Sequence, residues 1–264
     1  MMSLVQRFEA MAFGLLSLIL SMTVAPAVEI QPADVSEWEE LWTRVLNEYV
    51  DDAGRIHFAA LARNRAELDQ VVAFIAANDP TSQPAKFRSR QAKLAYYINA
   101  YNALAMYGVV DAGIPTSLGG LNKITFFWLR TFKIGGKSLS LYKFENDVIR
   151  PIGDPRIHFA LNCMVVDCPR LPRMAFTADK LERQLDAATR TFVNESRNVR
   201  AEPEKQEVWL SAIFKFYTED FLAHDSSLVA FVNRYRTNKL PTNFATRFHD
   251  YNWTLNDRGS ADRK

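Results

Sequence analysis

The chain has 264 residues, a formal net charge of +2 and a hydrophobic fraction of 48%. This length suits one large domain or two small ones, and the apolar fraction is enough for a substantial core. Nucleic-acid binding is not expected, because no basic patch is interleaved with aromatic residues. Since there is no repeat, low-complexity run or long linker, we predict one compact domain.

The N-terminal 27 residues have the features of a secretory signal peptide. An apolar run over residues 11–24 is followed by Ala25-Pro26-Ala27, which fits the small-x-small cleavage rule. The run is shorter than the roughly twenty apolar residues that a membrane span needs. We therefore predict a mature domain over residues 28–264, with a core of about 36–256, in the periplasm or outside the cell. Its membrane contact is then only through the signal segment, with an uncleaved N-terminal anchor as the alternative.

The N-terminal half of the mature chain has helical periodicity. Apolar residues at helical spacing predict helices over residues 38–49, 59–78 and 87–111. Asn99 and Asn102 lie three apart on one side of the third, apolar helix. Buried amides need partners, so these two side chains either tie loop backbone to the helix or line a polar cleft.

A hairpin and a short helix follow. Two extended runs flank Gly135-Gly136, a pair typical of a tight turn. Residues 142–149 are predicted as a helix that carries Glu145 and ends just before Arg150. Glu145 is therefore close in sequence to the central segment, where it either orients a histidine or forms a salt bridge with Arg150.

The central segment, residues 154–171, contains both cysteines of the chain. After the turn signal Asp154-Pro155, residues 157–163 alternate between apolar and polar, which predicts a strand. His158 and Asn162 then lie on the polar face and line a cleft, while Cys163 ends on the opposite face.

Three hypotheses fit the two cysteines. The first is a disulfide that closes the short Cys163–Cys168 loop, which needs an oxidising compartment. The second is a Cys168 thiol nucleophile with His158 as its base, although Pro169 and the residues after it leave no helix N-terminus to lower the thiol pKa. The third is a metal site from His158, Cys163 and Cys168, which lacks a fourth ligand motif. We predict no metal and no cofactor.

The C-terminal part mixes helices and short strands. Helices are predicted over residues 177–194, from Ser211 onward and over 228–235, with paired strands at 198–200 and 207–210. The tail, residues 250–256, alternates like a last strand with Tyr251, Trp253 and Leu255 facing inward.

Five blocks of the chain form a set: residues 97–104, 135–136 followed by 139–150, 154–169, 213–221 and 250–256. The most specific is Arg-Ile-His-Phe-Ala-Leu-Asn-Cys with a second Cys-Pro after it. Together they resemble the uncharacterised family called domain of unknown function 547. That family usually has small residues and serine between the cysteines, whereas this chain has Met-Val-Val-Asp. An aspartate beside Cys168 opposes thiolate formation. The resemblance implies a shared domain and a shared site, and it supplies no reaction.

We therefore predict an α+β fold, a mostly helical single domain with a small antiparallel sheet. Two functions stay open. The first is an exported binding or structural module of the envelope, with an unknown ligand or envelope partner and a cleft around His158 and the Cys163–Cys168 loop; Asn99, Asn102 and Arg150 are its candidate binding residues.

The second function is a cysteine-dependent hydrolase or acyl transferase. In this hypothesis Cys168 is the nucleophile and His158 the base, Glu145 or Asn99 orients the imidazole, and Asn162 donates to the oxyanion. The sequence leaves open whether the protein is an enzyme.

Overall fold

The computed structural model describes residues 34–261 of the chain, and these residues belong to one compact unit. The predicted signal peptide lies outside the described residues. The helices are α1 Val35–Tyr49, α2 Phe58–Arg63, α3 Ala66–Ala77, α4 Arg90–Asp111, α5 Leu121–Lys123, α6 Leu141–Lys143, α7 Leu181–Asn194, α8 Ala212–Phe216, α9 Thr218–Leu222, α10 Leu228–Tyr235 and α11 Arg258–Ala261. The strands are β1 Thr131–Ile134, β2 Lys137–Ser140, β3 Val199–Glu202, β4 Glu207–Leu210 and β5 Ala245–Phe248.

Two of the short helices widen into π-helical turns. Helix α5 continues directly into the turn Ile124–Leu129, and α6 continues into Phe144–Ile149. Such turns are rare and occur frequently at functional sites. Tighter 3-10 turns are Pro84–Lys86, Arg150–Ile152, Pro155–Phe159 and Pro203–Lys205.

Helix α4 is the centre of the larger core. Ser89 caps its N-terminus by accepting a hydrogen bond from the Ala92 N–H group. From Leu94 to Val110 every residue except Tyr107 is buried. A helix that is apolar on all sides is stable only when other elements cover it completely. Here α2 and α3 pack against it, and α1 packs against α3.

A smaller aromatic core lies beside the first one. Phe159 is at its centre, with ring centroids 4.8 Å from Phe192 and 5.6 Å from Phe214. The two cores meet at the 3-10 turn Pro155–Phe159, because Ile157 belongs to the larger cluster and Phe159 to the smaller. His158 therefore lies between two residues of the turn that are each buried in a different core, Ile157 in the larger and Phe159 in the smaller.

The mostly helical fold with two small sheets confirms the predicted α+β class. The hairpin is correct, since β1 pairs with β2 antiparallel around Gly135-Gly136. The second sheet differs from the predicted antiparallel one. Strand β4 pairs antiparallel with β3 but parallel with β5, because β5 arrives after the long excursion through α8, α9 and α10.

The predicted strand over residues 157–163 is wrong. The chain forms the 3-10 turn Pro155–Phe159 and then a loop. Asp154 caps the turn by accepting from the Arg156 N–H group, and Pro155 stands at its first position, where its fixed φ favours a helical start. The alternation of apolar and polar residues over seven positions therefore arises from a turn between two cores.

Two other predicted elements also change. The helix predicted over residues 59–78 is two helices, α2 and α3, separated by Asn64 and Arg65. The tail is not a strand along its length: Thr254 and Leu255 make isolated bridges to Ser117 and Val165. Leu255 is buried as predicted, whereas Tyr251 and Trp253 are half-buried. Among residues 34–261, none of the helices is both long and apolar enough to cross a membrane.

Candidate functional site

A pocket of about 350 Å³ opens where both π-helical turns, the cysteine loop and the C-terminal tail meet. Eight of its 18 lining residues are Phe, Tyr or Trp: Tyr101, Phe127, Trp128, Tyr142, Phe216, Tyr217, Tyr251 and Trp253. Its polar lining comes from Lys123, Glu145, Asn146, Arg150 and His158, and both cysteines also contribute. An apolar cavity with a few convergent polar groups is the usual form of a small-molecule site.

His158 is held by a carboxylate from a distant part of the chain. Its side chain is 1% exposed, and its Nε2 atom lies 2.7 Å from Oδ2 of Asp220 in α9. Arg150 donates to the same carboxylate through two nitrogens, at 2.9 and 2.8 Å. Burial by itself would raise the pKa of Asp220, but the hydrogen bonds and charges of His158 and Arg150 outweigh it and hold the pKa well below its usual value. Asp220 is therefore an ionised anchor for both side chains.

Tyr217 links the histidine to Glu145. Its ring stacks on His158 with centroids 3.8 Å apart, and its hydroxyl donates to Oε1 of Glu145. Burial, and then the charge of Glu145, raise the pKa of Tyr217 and of Tyr101 well above the usual value. Both phenols stay protonated near neutral pH, so Tyr217 remains a hydrogen-bond donor to the buried side chain of Glu145.

The two cysteine sulfurs are at disulfide-bonding distance, with Cα atoms 6.2 Å apart. Cys168 is 2% exposed, whereas Cys163 is partly exposed in the pocket wall. The N–H group of Cys163 donates to Sγ of Cys168 at 3.0 Å. The hydroxyl of Tyr251 lies 3.4 Å from Sγ of Cys163 and donates to Sγ of Cys168 at 3.5 Å.

The asparagines bind loop backbone. Asn99 donates to the carbonyl of Phe176 at 2.7 Å and accepts from its N–H group at 2.9 Å. Asn102 donates to the carbonyl of Ala160 at 2.9 Å and accepts from the N–H group of Asn162 at 2.7 Å. Neither side chain lines the pocket. These contacts match the structural interpretation, in which the pair ties loops to α4.

Several hypothetical roles are corrected by the contacts. Asp220, and not Glu145 or Asn99, contacts the imidazole of His158. The ion pair of Arg150 is with Asp220 and not with Glu145. The side-chain amide of Asn162 donates to the carbonyl of Pro169 at 2.6 Å, and Asn162 is 1% exposed and does not line the pocket, so it is not placed to bind an oxyanion there.

Sequence reasoning missed Asp220, Tyr217 and Tyr251 as site residues. A signal was present, because all three lie in two of the blocks that carry the family resemblance, residues 213–221 and 250–256. Those blocks indicated that the residues belong to the domain. The contact of Asp220 with His158 spans 62 positions of the chain, however, and the contacts of Tyr251 with the two cysteines span 88 and 83.

A second groove, of about 590 Å³, has four arginines in its wall: Arg90, Arg156, Arg190 and Arg234. Arg156 contacts the carboxylates of Asp154, Glu182 and Asp186, and Arg234 contacts Asp225. Two of the four guanidinium groups are therefore paired with carboxylates, whereas Arg90 donates to the carbonyl of Ile152 and the guanidinium of Arg190 lies 5.7 Å from the ring centroid of Tyr235. Within the described part of the chain, no group of three or more His, Cys, Asp or Glu side chains is arranged to hold a metal ion.

The fold and the site define a mostly helical α+β protein with an aromatic pocket walled in part by a cysteine pair. Residues 85–193 match the model of the family described as "Protein of unknown function, DUF547". This match confirms the resemblance over a segment that contains α4, Glu145, Arg150, His158 and both cysteines, while α9 and the tail lie beyond it. No curated protein and no solved structure matches the chain.

Proposed function

We propose that this protein is an exported binding module of the cell envelope, and that the aromatic pocket holds an organic anion with an aromatic or acyl body. The observation that carries the proposal is the combination of a ring-lined cavity with Lys123, a cation in its wall. Ligand sites of this kind bury most of the ligand against apolar side chains and orient it by a few polar groups.

The rim of the pocket supports an apolar ligand body. Three aromatic side chains of the wall are strongly exposed at the mouth: Trp128 at 52%, Tyr142 at 47% and Phe216 at 47%. Exposed aromatic rings that cluster at a cavity mouth are typical of ligand sites rather than of ordinary surface. Trp128 and Tyr142 are already packed together, with centroids 5.1 Å apart, so the rim loses little conformational freedom on binding.

The charges in the wall favour an anion. Among residues 34–261, Lys123 forms no salt bridge with a carboxylate; its ammonium group lies 4.4 Å from the ring centroid of Trp253. Arg150 is neutralised by Asp220, and Glu145 accepts from Tyr217. Both carboxylates thus have hydrogen-bond partners within the protein, and Lys123 is a cation of the wall with no carboxylate at salt-bridge distance among residues 34–261.

Export rests on the signal-like features of residues 1–27. A secreted protein folds where disulfides persist, and the disulfide-bonding distance between Cys163 and Cys168 fits that environment.

The hydrolase hypothesis has one supporting observation, the His158–Asp220 contact, which would give a free thiol an oriented base. Two observations weigh against it: the Cys168 sulfur is paired with Cys163, and Asn162 does not line the pocket. Binding is therefore the function that we propose.

The test uses two fluorescent probes with similar aromatic bodies, anilinonaphthalene sulfonate, which is an anion, and phenylnaphthylamine, which is neutral. Exported protein should bind both. The variant Lys123→Gln should bind the sulfonate about fivefold more weakly, that is by about 1 kcal/mol, as expected for a partly exposed charge pair, and should bind the neutral probe unchanged.

Two further variants make the test specific. Lys137→Gln removes an exposed lysine of β2 that does not line the pocket, and should change neither affinity. Trp128→Ala should lower the affinity for both probes, because it removes an aromatic side chain from the pocket wall. The proposal is wrong if the sulfonate binds equally well to the Lys123 and Lys137 variants, or if neither probe is affected by Trp128→Ala.

A further inference from the structure

The cysteine pair has an arrangement that the binding function does not require. One sulfur is accessible from the pocket, and the other is buried among hydrogen-bond donors. Cys163 is partly exposed and Cys168 is 2% exposed, and both line the cavity. The bridge thus has two chemically unequal ends.

This kind of inequality directs thiol–disulfide exchange to one sulfur. An incoming thiolate attacks one sulfur, and the other leaves as a thiolate, so the reaction is fastest when the first sulfur is accessible and the second is a stabilised leaving group. Attack through the pocket can reach Cys163, whereas Cys168 is covered by protein.

The contacts of Cys168 are those that a leaving thiolate needs. Its Sγ atom accepts from the N–H group of Cys163 at 3.0 Å. The hydroxyl of Tyr251 lies 3.5 Å from Sγ of Cys168 and 3.4 Å from Sγ of Cys163, so it can donate to the sulfur that becomes a thiolate. Burial, and then the charges of Asp167 and Glu145, raise the pKa of Tyr251 above its usual value, so its hydroxyl keeps its proton.

The nearby charges oppose each other. Asp167 disfavours a thiolate at Cys168, but its Oδ2 atom accepts a hydrogen bond from the N–H group of Asn252 at 2.7 Å. Arg197 donates to the carbonyl of Val166 at 2.9 Å and to that of Cys168 at 3.4 Å, which brings a positive charge to the same loop. The N–H group of Cys163, which donates to Sγ of Cys168, and the burial of Cys168 therefore distinguish the two sulfurs.

We propose that the Cys163–Cys168 disulfide is a thiol-exchange site for small thiols that enter the aromatic pocket. A thiolate attacks Sγ of Cys163, the bond between the two cysteine sulfurs breaks, and its electron pair goes to Sγ of Cys168. A second thiol then attacks the sulfur of the bound thiol. The products are the oxidised thiol as its own disulfide and the protein with both cysteines reduced, so the protein gains the two electrons that the thiols lose.

This inference goes beyond the proposed binding of an organic anion, because it needs only the opening of the pocket. The test starts from the native, oxidised protein and uses glutathione as the thiol. The reaction is stopped with acid after a short time, free thiols are alkylated, and the peptide spanning both cysteines is sequenced by mass spectrometry. Glutathione should be found on Cys163 and the alkyl group on Cys168.

The role of Tyr251 is tested by rate. Tyr251→Phe keeps the ring but removes the donor, and should slow exchange about fivefold, as for the loss of one hydrogen bond to a developing charge. The control Tyr49→Phe also removes one hydroxyl hydrogen bond, to the carbonyl of Asn64, and should leave the rate unchanged because neither residue lines the pocket. Circular dichroism checks that both variants are folded.

The proposal is overturned if glutathione is found mainly on Cys168, if no adduct forms, or if the two tyrosine variants exchange at equal rates. Probe binding separates the two proposals. Exchange that fails while the sulfonate probe still binds refutes only this inference, and exchange that proceeds without probe binding refutes only the binding function.

Discussion

Replacing Asp220 by Asn tests whether one carboxylate holds the site together. The substitution preserves the shape of the side chain but removes the charge that Arg150 and His158 share. The side chains of Arg150 and Asp220 are 25% and 24% exposed, and that of His158 is 1% exposed. The contact is thus intermediate between surface pairs, worth about 0–1 kcal/mol, and buried pairs, whose disruption costs about 3–5 kcal/mol.

We therefore expect Asp220→Asn to lower the free energy of unfolding by about 2 kcal/mol. For a chain of this size, that corresponds to a melting temperature lower by roughly 4–8 °C. Urea unfolding at neutral pH measures the change, and the midpoint should fall while the slope with urea concentration stays the same. Asp225→Asn is the matched control: its partner Arg234 is 54% exposed, so the loss should stay below about 1 kcal/mol.

The pH dependence gives a second readout of the same pair. The pKa of Asp220 is lower in the folded protein than its ordinary value of 3.8, so the ionised form favours folding. This contribution is complete well above pH 3.8 and is lost as the pH falls from there toward the lower folded pKa. The stability difference between wild type and Asp220→Asn should therefore shrink in acid. Equal stability of the two proteins at neutral pH would refute the reasoning.

Two other predictions concern stability away from the pocket. Gly135→Ala should cost at least about 3 kcal/mol in urea unfolding, because a Cβ atom would overlap Asp79 at a positive φ of 53°. Gly136→Ala, at φ 83° with open space around it, should cost only about 1 kcal/mol; equal losses would mean that the Asp79 contact does not matter. Burial, and then repulsion by Asp179, raise the pKa of Glu39 to about 7. The wild type should therefore lose stability between pH 4.5 and pH 7, and Glu39→Gln should not; parallel stability curves would contradict this.

Local sequence was sufficient for most helices and for the hairpin. Helix α4 lies within the range predicted from its apolar residues, and Gly135-Gly136 gave the correct turn because φ is positive at both positions. These features depend on neighbours within a few residues, where periodicity and turn chemistry are direct signals.

Prediction from residues close in sequence fails at the 3-10 turn Pro155–Phe159. Alternating residues predicted a strand, but Arg156 contacts Glu182 and Asp186 of α7, and the two neighbours of His158 enter different cores. Long-range packing overrode a short local pattern.

The sequence by itself determined the fold class, the family resemblance and the residue types near the site, His158 and the two cysteines among them. Only the tertiary structure decided how those residues are used. In the folded chain His158 contacts the carboxylate of Asp220, 62 residues away, and Tyr251 contacts the sulfurs of Cys163 and Cys168, 88 and 83 residues away. The physical reason is that a buried polar group must find a partner wherever the folded chain provides one, and the spacing of residues along the chain does not encode which partner that is.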